Sequence, residues 1–129
     1  MIFVDTNVLM YAVGRPHPLR GDARAFFEDC RRTQVRLSTS AEVLQELMHA
    51  YLPVQRLATL DAALMLVEGS IHTVWPLEAE DVELARLLVD SHPELGARDL
   101  LHLACCRRRG VVELKTFGRA LDAVARKVL

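Results

Sequence analysis

The chain is short of aromatic residues, of lysine, of cysteine pairs and of net charge. It also lacks any long unbroken apolar run. The formal charge is -1 with a pI near 6.5, which excludes a broad basic field for nucleic acid and leaves only local clusters for that purpose. Lys115 and Lys127 are the only lysines, so positive charge is carried by arginine, whose guanidinium forks onto phosphate better than an ammonium does. Cys30, Cys105 and Cys106 are odd in number and two are adjacent. That argues against a disulfide framework and for a reducing compartment. No Cys/His spacing resembles a zinc site. The longest apolar stretches are broken by charge, as Asp61 breaks Leu57 to Val67, and the amino terminus enters a strand without a basic leader. A soluble, cytoplasmic protein with no membrane segment is expected. What is present is 51% hydrophobic residues in 129, enough for one core over residues 1–129, with apolar surface to spare for a partner.

The organising stretch is Met1 to Asn7. Ile2-Phe3-Val4 is a short apolar run of strand formers that stops at Asp5-Thr6-Asn7, the pattern of a buried parallel strand delivering a carboxylate at its carboxyl end. In open α/β sheets ligands bind just beyond that end. Asp5 is therefore either a site residue or the cap of the helix starting near Asn7.

Further strands are expected at Val35–Leu37, Ile71–Trp75 and Val111–Lys115. Helices are expected at Asn7–Val13, Leu19–Arg32, Ala41–Leu52, Pro53–Glu68, Leu77–Asp90 and Ala97–Arg109, and from Gly118 to Leu129. Short strands alternating with helices predict an α/β fold: a short central, mostly parallel sheet flanked by helices on both faces. Val43, Leu44, Leu47, Met48 and Tyr51 form an apolar stripe. Stepping about 100° per residue puts Glu46 on its flank and Glu42 nearly opposite. Asp99 opens a helix that is apolar around most of its girth, so its carboxylate is held near the sheet or serves the helix dipole. His102 is read as a satisfied histidine, with lining the same site as the alternative. Asp81 is read as structural, one of several acids at a helix start. Arg31, Arg32, Arg36 and Arg107-Arg108-Arg109 are the basic clusters; the last is a candidate RNA contact, set against an ordinary cationic helix end.

If Asp5, Glu46 and Asp99 meet, their mutual repulsion calls for a hard cation, Mg²⁺ or Mn²⁺. Such an ion lowers the pKa of a water and offsets charge on a phosphodiester.

Phe3-Val4-Asp5-Thr6-Asn7, Val43-Leu44-Gln45-Glu46-Leu47, Arg98-Asp99-Leu100-Leu101-His102-Leu103-Ala104 and Leu114-Lys115-Thr116, in that order, resemble successive motifs of the PIN-domain family, and the length resembles its VapC-type toxins. The resemblance implies a single PIN-like domain with a Mg²⁺- or Mn²⁺-dependent endoribonuclease activity, in which a metal-activated water hydrolyses RNA. Asp5, Glu46 and Asp99 would be catalytic and hold the metal, braced by Thr6, Asn7 and Thr116. It further implies a homodimer and a small antitoxin whose tail fills the acidic site with a basic side chain.

One departure stands out. Two residues after Thr116, where the family often has a fourth acid, this chain has Gly118, so a second metal is expected to be weak or absent, with Asp122 as the substitute ligand. The alternative is a PIN-like RNA- or protein-binding module with little nuclease activity. A haloacid-dehalogenase-like phosphatase, with Asp5 as nucleophile, would want a second aspartate at Asn7 and ranks far lower.

Overall fold

The computed structural model describes all residues, Met1–Leu129. The elements, in chain order, are β1 (Ile2–Val4), α1 (Thr6–Val13), α2 (Arg20–Thr33), β2 (Leu37–Ser40), α3 (Ala41–Tyr51), α4 (Leu57–Ser70), β3 (Thr73–Trp75), α5 (Ala79–Leu88), α6 (Ala97–Arg108), β4 (Glu113–Lys115) and α7 (Arg119–Val128). The four strands form one sheet in the order β3-β2-β1-β4, and every pairing is parallel. β1 is central, with Ile2 opposite Leu37 on one side and Glu113 on the other. Phe3 and Val4 are completely buried, as a run covered on both faces requires.

Two apolar clusters pack around the sheet. The larger draws on α1 to α4, through residues such as Val8, Phe27, Leu47 and Ala63. The smaller draws on α5 to α7, through Ala85, Leu103 and Leu121. Helix α6 serves both, giving Cys105 and Cys106 to the first and Leu100, Leu103 and Ala104 to the second. This double duty is why its sequence is apolar nearly all round. The three thiols are free, and burial pushes Cys105 up to about 11, so they behave as small apolar groups.

Two elements differ from the sequence reading. The second strand lies at Leu37–Ser40, later than Val35–Leu37, because Ser38, Thr39 and Ser40 are buried between parallel neighbours and Thr39 Oγ1 donates to the Val4 carbonyl at 2.8 Å. Ser40, the last of the three, caps α3 through a 3.3 Å bond from the Val43 N–H. Pro53 lies in a turn that passes through left-handed Gln55 (φ 56°), and α4 starts later, at Leu57. Gly69 sits inside that helix, close to its end. Leu60 and Val67 face the core, while Leu57 is 52% exposed. No helix is long and apolar enough to cross a membrane.

Because all strands run the same way, their carboxyl ends share one edge. Asp5 follows β1, Ser40 leads directly into α3, and Thr116 follows β4. This is the edge at which α/β sheets bind ligands.

Candidate metal centre

Asp5 is both cap and site. It is the N-cap of α1, with Oδ1 accepting from the Thr6 N–H at 2.7 Å, and its Oδ2 accepts from Thr116 Oγ1 at 2.7 Å. The Thr116 hydroxyl in turn accepts from Asn7 Nδ2 at 3.1 Å and from the Gly118 N–H at 2.9 Å. Asn7 Oδ1 takes the Phe117 N–H at 3.1 Å, tying α1 to the segment after β4. Thr6 Oγ1 donates to Glu46 Oε2. Thr6, Asn7 and Thr116 thus brace carboxylates here.

Glu46 arrives from α3 with its side chain 10% exposed, and Asp99 from the first turn of α6 is half-buried. Asp5, Glu46 and Asp99 line one depression of about 270 Å³, with His49 and Arg98 among its other walls. A larger cavity, about 720 Å³, lies between α1, α2 and the start of β2 and contains none of these three acids.

His102 is the residue the sequence reading undervalued. It is 1% exposed, and its Nε2 lies 3.0 Å from Glu46 Oε1 and 3.4 Å from Asp5 Oδ1. The ligand atoms of Asp5, Glu46 and His102 fall within 4.8 Å of one another. The distances suit hydrogen bonds but the directions do not. Glu46 Oε1 and both imidazole nitrogens are left buried without a hydrogen-bond partner. His102 lies one turn after Asp99 on α6, and that spacing was the only signal that it shares the site.

The electrostatics describe a crowd of negative charge. Burial raises the Asp99 pKa above the usual carboxylate range, and the charges of Asp5 and Glu46 add to the shift. Burial pushes Glu46 the same way, but contacts from His102 and Thr6 outweigh it and its pKa ends below the ordinary value. For His102 burial disfavours the charge, yet Glu46, Asp5 and Asp99 together overcome it and raise the pKa. An imidazole between carboxylates, with donor atoms left unmatched in the interior, fits a cation site better than a finished hydrogen-bond network.

The remaining candidates lie elsewhere. Asp122 is bonded to Arg126 Nε at 2.9 Å and lines a groove with Lys115 and Thr116, outside the depression that holds the three acids. Gly118 caps α7 with its N–H on Thr116. Arg108 and Arg109 are committed. Their guanidinium groups stand 2.8 and 2.6 Å from Asp81 Oδ1, and Arg109 also donates to the Pro76 carbonyl at 3.0 Å. Asp81, fully buried, closes a capping box on Glu78 at the start of α5, so this network ties α5 to the end of α6 and Asp81 is structural as read. Asp99 and Arg109 sit about 15 Å apart along the α6 axis, at opposite ends.

Comparisons with known proteins point one way. The PIN domain family model matches residues 2–127. Ribonuclease VapC23 of Mycobacterium tuberculosis is 60% identical over 126 residues, spanning 98% of this chain and 99% of that one. The crystal structure of VapC20 from the same species, a sarcin-ricin loop cleaving toxin, superposes with a TM-score of 0.76 at 21% identity, covering 96% of this chain and 95% of that one. That of VapBC2 from Rickettsia felis, bound to a DNA fragment from their promoter, gives 0.69 at 17% identity, with 92% and 88% covered.

Proposed function

Given that the chain belongs to the PIN-domain family and to its VapC-type branch, we propose that it is a divalent-metal-dependent endoribonuclease acting as the toxin of a toxin–antitoxin pair. Asp5, Glu46 and Asp99 are its catalytic acids and metal ligands, and the ion is Mg²⁺ or Mn²⁺. The observation that carries the reading is the meeting of these three acids in one depression at the carboxyl edge of the sheet, where burial first, and then the charges of Asp5 and Glu46, raise the pKa of Asp99. Carboxylates in that state gain from a hard cation between them. A divalent ion bound there would supply Lewis-acid stabilisation of phosphodiester charge and an acidified water as nucleophile.

The chain's own residues do the positioning. Asn7 and Gly118 aim the Thr116 hydroxyl at Asp5, and Thr6 holds Glu46 Oε2. Arg98 and His49, at the wall of the depression, are placed to take the phosphates flanking the scissile bond. They replace Arg108 and Arg109 as the first RNA contacts to consider, because those two are spent on Asp81. A small antitoxin and a homodimer are the partners of this reading; the likeness to VapBC2 of Rickettsia felis supports the first. A cytoplasmic location goes with it.

The test is cleavage of RNA after chelation, with Mg²⁺ or Mn²⁺ added back. Activity should vanish and return with the ion; cleavage indifferent to chelation would contradict the reading. A second reading rests on Gly118, which leaves the fourth acid position without a carboxylate. There the fold binds RNA or protein with little cleavage. A chain that binds metal and RNA yet turns over no substrate at saturating metal would favour it.

A further inference from the structure

The three acids account for a hard-cation site of the kind just proposed, but they leave His102 unexplained. Its imidazole is 1% exposed, and neither nitrogen has a hydrogen-bond partner. An unpaired polar side chain in the interior carries a desolvation cost that packing against Phe3, 5.5 Å away between ring centroids, does not offset. Nε2 lies behind the depression rather than in its wall, within 3.4 Å of an oxygen from each of Asp5 and Glu46. Glu46 Oε1 is likewise unmatched. Two ligands of one ion at bond lengths near 2.1 Å stand roughly 3 Å apart when their bonds meet at right angles, so these separations suit donors sharing a cation.

We infer that His102 Nε2 is an inner-sphere ligand, making the centre a mixed nitrogen–oxygen site that prefers Mn²⁺ to Mg²⁺. The inference rests on the metal reading above and deepens it. Mg²⁺ takes oxygen ligands in a near-ideal octahedron and sheds water reluctantly, whereas first-row transition ions accept imidazole readily. In the ligating tautomer Nδ1 carries the proton, and no acceptor lies against it to reinforce the donor. The selectivity is therefore expected to be moderate, on the order of tenfold.

The experiment is pulsed electron paramagnetic resonance on the full chain loaded with one equivalent of Mn²⁺, paired with calorimetric Mn²⁺ and Mg²⁺ titrations. The wild type should show ¹⁴N modulation from a directly bound imidazole and bind Mn²⁺ about tenfold tighter than Mg²⁺. His102→Gln should lose the modulation and most of that preference while keeping its Mg²⁺ affinity. His17→Gln, at an exposed histidine outside that depression, should keep both. Tightly bound Mn²⁺ without ¹⁴N modulation in the wild type would overturn the assignment of His102 and leave the three-acid site standing. A wild type that binds neither ion would overturn the metal reading itself.

Discussion

Thr116 Oγ1 donates a 2.7 Å hydrogen bond to Asp5 Oδ2, joining the end of β4 to the end of β1. The same oxygen accepts from Asn7 and from Gly118, so both lone pairs are used and its one proton is left for the carboxylate. The direction of this bond is set by the surroundings.

Thr116→Val keeps the shape and removes the hydroxyl, stranding the two donors and one oxygen of Asp5. A loss of about 1–3 kcal/mol in urea unfolding is expected, with weaker divalent-metal binding by calorimetry. Thr116→Ser should stay near wild type in both. A neutral Thr116→Val would show that the bond does not hold Asp5.

Asp81 gives a pH signature. Its pKa is lowered to about 2 because the Arg109 and Arg108 contacts and the Glu78 N–H outweigh burial. A depressed folded pKa means that the unfolded state takes up the proton first as pH falls. The stabilisation is whole above about pH 5 and drains away between about 5 and 1, amounting to about 2 kcal/mol. Urea midpoints across that window should fall in the wild type, and Asp81→Asn should be weaker at neutral pH and lack this component.

Asp99 gives the opposite sign. Its raised pKa means that ionised Asp99 costs stability, through burial and the neighbouring carboxylates. Asp99→Asn, in metal-free buffer at pH 7, should raise the melting temperature while lowering metal affinity. A melting temperature that falls would show that Asp99 is a structural acid.

Arg98 and the arginines at the other end of α6 should separate cleanly. Arg98→Gln is expected to flatten the salt dependence of RNA binding by about 0.7 in log–log slope, one phosphate contact to a single strand, with little change in unfolding. Arg109→Gln should do the reverse, since its guanidinium is bound to Asp81 and Pro76. Equal slopes for Arg98→Gln and wild type would remove Arg98 from the footprint.

What could be read early was what is local. Ile2-Phe3-Val4 ending at Asp5 announced β1, and the girth of apolar residues announced α6, because each pattern is set by neighbours in the chain. The arc of α3 likewise put Glu46 at the core boundary. Ser38, Thr39 and Ser40 read as cap residues for the helix that follows until strands on both sides bury them. His102 is distinguished only by Asp5 and Glu46, which come from β1 and α3. The arginines at the end of α6 read as a helix-dipole device, and the acid that claims them lies on α5. Asp122 shares a helical face with Gly118 by spacing, yet its own neighbour Arg126 is the partner it finds.

The central claim is that one ion held by Asp5, Glu46 and Asp99 drives RNA cleavage. It is tested most directly by single-turnover cleavage beside Mn²⁺ and Mg²⁺ titration in the wild type, Asp5→Asn, Glu46→Gln and Asp99→Asn, each confirmed as folded by circular dichroism. The account predicts that all three variants lose cleavage in step with metal affinity, the loss running to a hundredfold or more, equivalent to about 3 kcal/mol in the barrier. Wild-type cleavage in any folded variant, or cleavage lost with metal affinity unchanged in all three, would contradict it.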